Sequence, residues 1–250
     1  MAMMLQADTT PLLEAIAARD TQNVIRETLR LLGQRQIAPG KIVARVGVAA
    51  LWGGADPHAV SALSVTGRIA EWMRLAPLGP EPGEEDRRAY RPALPLAQGF
   101  LAVADAIGAG MREQHPALPD PLEPSEIKRA DGPHGELRES FAQGNVGQMQ
   151  RVLMGYYATG ADYRTLEESL YITLRFRYPQ GGHPVIFTRA AGSILDMAIW
   201  GNHAPALIAW LPPLMVDATP DTPAASTARA YADAPEHDLA YRSNRRHHRR

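Results

Sequence analysis

A shift of 125 residues lays Leu12–Arg74 over Leu137–Ile199 without a gap, and this self-similarity constrains the fold more than any other feature of the sequence. Identities fall at Leu12/Leu137, Glu14/Glu139, Ala17/Ala142, Arg26/Arg151, His58/His183, Val60/Val185, Gly67/Gly192 and Ile69/Ile194. Asp20 meets Asn145, Glu71 meets Asp196 and Trp72 meets Met197, while Pro92-Ala93-Leu94 recurs as Pro205-Ala206-Leu207 after a shorter connection. Two alanine-rich helical stretches could match by chance, but the shared landmarks favour two copies.

Each copy reads as helices. Leu12, Ile16, Val24, Thr28 and Leu31 match Leu137, Phe141, Met149, Leu153 and Tyr156, a spacing that fits a helical stripe and not strand alternation. Asp20 and Asn145 interrupt the stripe as N-caps, dividing a short helix from a longer one. Gly33 stops the longer helix of the first copy, and Pro39 opens the next, which runs towards Gly53; its counterpart spans Tyr163 to Tyr178. The third major helix starts at Asp56-Pro57-His58 in one copy and at Gly181-Gly182-His183-Pro184 in the other. A fourth helix is expected from Pro92 to about Arg112, with a shorter partner from Pro205 to Val216.

The expected fold is therefore all-α, with two tandem pseudo-symmetric multi-helix repeats packed into one domain. Residues 1–114 are expected to form the first repeat, 115–133 a proline-rich connection, 134–216 the second repeat, and 217–250 a disordered tail of Pro, Thr, Asp and Ala that ends in a run of Arg and His and cannot bury a core. The apolar fraction of 45% over 250 residues is enough for a sizeable core.

Composition removes whole classes of function. With Cys 0, thiolate zinc sites, iron–sulfur clusters and cysteine nucleophiles are excluded, so any metal must use His, Asp, Glu or Met. The formal net charge of −1 supplies no field for nucleic acid. The longest apolar run, Ala198–Val216, is broken by Asn202, His203 and three prolines, which argues against a membrane span, and the first residues lack a secretory pattern, so a cytoplasmic location is expected. No Gly-x-Gly-x-x-Gly, Walker, Gly-x-Ser-x-Gly, Glu-x-x-His or zinc-finger motif occurs.

His58 and His183 are the candidate catalytic and metal-ligating residues. At 100° per residue His58 shares a face with Ala62, Val65, Ile69 and Trp72, and His183 with Phe187, Ala190, Ile194 and Met197. Both imidazoles are expected along buried stripes, converging on a pocket between the repeats, with Gly67 and Gly192 allowing close helix approach on the opposite faces. Helix N-termini favour neutral imidazole, the form that ligates haem or iron or acts as a base. The alternative is that each histidine packs or caps its own helix. Glu71 and Asp196 read as solvated, Glu71 pairing with Arg68 or Arg74; His203 is a helix-start residue beside Asn202. Tyr156, Tyr157, Tyr163, Tyr171, Phe176 and Tyr178 offer aromatic lining or core, with Arg175 and Arg177 a weak anion site.

The run Gly181-Gly182-His183-Pro184-Val185-Ile186, echoed by Asp56-Pro57-His58-Ala59-Val60, resembles the questin oxidase-like all-helical proteins. That resemblance implies oxidative ring cleavage of an aromatic polyketide-type molecule, with His58 and His183 as the carried-over residues. One turn on, where such proteins carry further histidines, this chain has Ala62 and Phe187. Two functions follow. One is a protein that binds a hydrophobic or aromatic small molecule, as an oxidoreductase or oxygenase; the other is a non-catalytic helical-repeat interaction module, with homo-oligomerisation open to either.

Overall fold

The computed structural model describes residues 8–34, 37–75, 88–112, 116–127, 132–160, 163–174, 182–198 and 203–216. Its helices are α1 Thr10–Ala17, α2 Thr21–Gly33, α3 Pro39–Trp52, α4 Pro57–Leu75, α5 Ala93–Ala102, α6 Ala104–Arg112, α7 Gly132–Ala142, α8 Val146–Ala158, α9 Tyr163–Leu174, α10 His183–Ala198 and α11 Ala204–Val216. No strand occurs among the described residues, so the all-helical expectation is met.

The first helices form as their caps dictate. The Asp20 carboxylate accepts from the Asn23 amide at 3.1 Å, and Asn145 Oδ1 accepts from the Gln148 amide at 3.0 Å, each satisfying a donor that the helix leaves unpaired. The preceding turn is left-handed in both places, at Arg19 (φ 54) and Gly144 (φ 68). α2 and α8 are both 13 residues long. Leu12, Ile16, Val24 and Leu31 are buried at one site, and Leu137, Phe141, Met149 and Tyr156 at the other. The correspondence ends at α9. Ile42, Val43 and Val46 of α3 are buried, whereas Glu167, Glu168 and Tyr171 at the shifted positions are not; α9 buries Leu166, Ser169, Leu170 and Leu174 instead.

The chain packs as two units, the first made of Met1–Pro119 with Ile186–Leu211. Within it α3 lies against α4 and α6, and α5 against α4 and α2. Small residues set these approaches: a Cβ on Gly67 would lie 2.9 Å from Val43 Cγ1, and one on Gly99 would lie 2.8 Å from Thr66 Oγ1. Ile194 of α10 rests on Gly47, and the Trp210 ring of α11 covers Gly54, its Nε1–H donating to the Trp52 carbonyl at 3.3 Å. The expected single helix from Pro92 to Arg112 is two helices. It bends by 57° between Ala102 and Ala104, and the break lets Phe100, Val103, Ala104 and Ile107 all reach the core. Among the described residues no single helix is long and apolar enough to cross a membrane.

The second unit comprises Asp120–Val185 and Pro212–Arg250. α7 packs on α8 and α9. The described part of the proline-rich connection is pinned to α8: the Leu122 amide donates to the Arg151 carbonyl at 2.9 Å, and Arg151 Nη2 donates to both Glu126 carboxylate oxygens, at 2.9 and 2.8 Å.

Candidate functional site

α4 begins as the sequence predicts. Asp56 Oδ1 accepts from the His58 amide at 2.7 Å and the Ala59 amide at 3.1 Å, and Pro57 occupies the first helical position. His58 is nevertheless exposed. Its expected buried stripe faces outward, with Val65 52%, Ile69 44% and Trp72 71% exposed. The inward face carries Val60, Leu63, Ser64, Gly67 and Ala70. The reason is steric: small residues let α4 come close to α3 and α5, and this contact outweighs placing bulkier side chains inside.

His58 lines an open groove of about 650 Å³ in the first unit, together with Asp56, Ala59, Ala62, Ala106 and Ala109. Gly53, Gly54 and Asp105 of α6 line it as well. The Asp105 carboxylate accepts from Arg19 Nη2 at 2.7 Å. That hydrogen bond and the guanidinium charge hold Asp105 below the usual carboxylate range and raise Arg19. The groove does not include His183.

His183 starts α10 and is half-buried, and its predicted stripe does face inward, with Phe187, Ala190 and Ile194 buried. His58 belongs to the first unit and His183 to the second. Among the described residues, no group of three or more His, Asp or Glu side chains comes together to hold a metal ion.

Glu71 does pair with Arg74, at 3.0 Å, but is half-buried, because its other oxygen caps α3 at the Gly40 amide. Asp196 is exposed and His203 is half-buried at the turn into α11, its carbonyl accepting from the Ala206 amide at 3.0 Å. Of the aromatic cluster, Tyr156, Tyr157 and Tyr171 are described; the Tyr163 side chain, Arg175, Phe176, Arg177, Tyr178 and Asn202 lie outside the described residues, as does the tail from 217. Tyr171 donates to Glu167 at 2.8 Å.

A residue that the sequence reading passed over, His134, sits beside Tyr156 with ring centroids 5.7 Å apart. His134 Nδ1 and the Tyr156 hydroxyl are both buried without a hydrogen bond of good geometry. Burial raises the Tyr156 pKa, and the Ser169 hydroxyl offsets this only in part. The 125-residue shift pairs His134 with Thr9 and Tyr156 with Leu31, so a polar pair stands where the first segment has a small hydroxyl and an aliphatic. Its signal in the sequence is the same 125-residue register, continued three positions upstream of Leu12 and Leu137.

Comparison of the chain with protein-family models, with curated proteins and with solved structures finds no match.

Proposed function

We propose that the chain is a helical protein-interaction module whose docking surface is the outer face of α4. One observation carries this reading: Ala62, Val65, Ile69 and Trp72 form an exposed apolar stripe at alternating spacings of three and four residues, the spacing of a helix that packs on another helix. A solvated helix face carries charges at such positions. The test uses a synthetic amphipathic helical peptide with leucines at the same spacing, titrated calorimetrically. Saturable binding with a negative heat-capacity change is expected, lost in Ile69→Asp, while that variant keeps its folding stability within about 0.5 kcal/mol, as surface substitutions do. Absent binding, combined with an Ile69→Asp cost of about 2 kcal/mol or more, would show that this face is covered by the chain itself.

The groove supports a second reading, a hydrophobic or aromatic small molecule held at His58, as the questin oxidase-like resemblance implies. Its marks are binding of a polycyclic aromatic probe that His58→Ala weakens, and iron or haem retained by protein purified without a nickel column.

We also infer that α1–α2 and α7–α8 descend from one duplicated hairpin. The equal lengths of α2 and α8, matched left-handed turns and matched caps support this.

A further inference from the structure

We propose that the occupant of the α4 face is a second copy of the chain, packed antiparallel about a twofold axis so that Trp72 of each copy enters the alanine groove of the other. This rests on the reading of α4 as a docking surface and names its partner.

The face is self-complementary, as a twofold interface requires. Along α4 the most exposed large apolar side chain is Trp72, 71% exposed, and ten residues earlier Ala62 lines the groove with Ala59, Ala106 and Ala109, beside Asp56, His58 and Asp105. Ten residues span about 15 Å of helix. In an antiparallel pair centred on position 67, Trp72 stands opposite Ala62 and Ile69 stands opposite Val65. Large meets small at the ends, and two aliphatics of similar size meet in the middle. That alternation is what interdigitated helix packing needs. A groove of about 650 Å³ has room for an indole.

The polar surroundings point the same way. The positions flanking the stripe are Ala59, Ser61, Thr66, Arg68, Met73 and Leu75, so Arg68 is the single charge among them. Its guanidinium donates to the Ser193 hydroxyl at 3.0 Å. Along the stripe itself a partner that recognises charge would find little to read, and an identical stripe is matched there without desolvating ions; the groove that receives the indole carries Asp56 and the Arg19-paired Asp105 on its lining. The antiparallel arrangement also sets opposite helix dipoles side by side. The stripe supplies roughly half of the about 800 Å² that a stable interface buries on each partner, and the walls of the groove extend it.

The experiment uses the full chain, whose lack of cysteine makes single-cysteine variants clean reporters. Sedimentation across the micromolar range should show a reversible monomer–dimer equilibrium. Trp72→Ala, which removes the protruding side, and Ala62→Trp, which fills the recess, should each weaken the dimer by about tenfold or more, with a melting temperature equal to the native chain's at concentrations where both are monomeric. Oxidising a mixture of Val65→Cys and Ile69→Cys chains should cross-link the two species to each other in preference to either with itself. A chain that stays monomeric overturns the proposal, as does a dimer indifferent to both folded variants or a cross-link formed best between identical variants. A monomer that still binds the helical peptide through Ile69 loses the second copy and keeps the docking surface; a monomer that does not bind it loses both.

Discussion

Glu71 reaches from α4 to the start of α3, where its Oε1 accepts from the Gly40 amide at 2.7 Å while Oε2 takes Arg74 Nε at 3.0 Å. α3 has no side-chain cap of its own, because its N-cap is Ala38 and Pro39 has no amide to donate. A carboxylate from a neighbouring helix therefore does what a local Ser or Asp does elsewhere, and it also meets the positive end of the α3 dipole. Glu71→Ala is expected to lower stability by about 1–2 kcal/mol in denaturant unfolding, because the Gly40 amide loses its acceptor. A loss no greater than that of an exposed control such as Asp196→Ala would show that the amide is satisfied without Glu71.

The contact of Ile194 with Gly47 makes a sharper demand. A methyl on Gly47 would overlap the Ile194 side chain, so Gly47→Ala should cost about 1–3 kcal/mol by overpacking. Ile194→Ala alone should cost about 2–5 kcal/mol by leaving a cavity. The double variant should be more stable than the sum of the two predicts, since the new methyl occupies the vacated space. Strict additivity in that cycle would separate α10 from α3.

Tyr156 buries a hydroxyl with no well-placed partner, so Tyr156→Phe should raise stability by about 1 kcal/mol at neutral pH. Its pKa is raised by burial, which fixes the sign of the alkaline response. The folded protein keeps the phenolic proton where the unfolded chain has lost it. The stability is thus whole below the ordinary value of 10.0 and declines as pH climbs from there towards the raised one. Melting temperatures followed from neutral to strongly alkaline pH should fall less steeply for Tyr156→Phe than for the native chain. Parallel curves would mean that another group controls the alkaline limb.

Two left-handed turns differ in the residue that occupies them. Gly144 suits φ 68, whereas Arg19 adopts φ 54 with a side chain attached. Gly144→Ala should cost about 1 kcal/mol, although its Cβ would find ordinary space 3.4 Å from Val216 Cγ1. Arg19→Gly should move the melting temperature upward, because the Asp105 ion pair it sacrifices is exposed and screened by water. A fall in melting temperature would give that ion pair a weight its exposure argues against.

What could be read from the sequence was what the chain encodes over four or five residues. Asp20 and Asn145 announce their helices because a cap acts on an amide three positions away, and Asp56-Pro57 sets the start of α4 in the same way. The apolar stripe of α4 is legible in the sequence, but the side it faces is not, and the expectation of a buried stripe fails there. Periodicity shows that Val65, Ile69 and Trp72 share a face, and it is silent on whether that face meets the core or stands outside it. Gly67 was the better guide, since a residue without a side chain marks where another helix must come close. The break at Val103 carries no proline and arises from the packing of both flanking helices. Glu71 acts across 31 residues of chain and the groove at His58 unites residues more than 50 apart, distances over which local pattern has no purchase.

The first unit is assembled from a long leading stretch and a late return, Ile186–Leu211. During synthesis on a ribosome, α3 and α4 would emerge with the seat for Ile194 still vacant, and would wait while the roughly 120 residues from Leu75 to Ile194 were made. Until then the nascent chain would expose the glycine-lined seam between those helices to whatever is nearby. Completion of this unit therefore waits on the arrival of Ile186–Leu211, and a message truncated between the two stretches would yield a product with this core open.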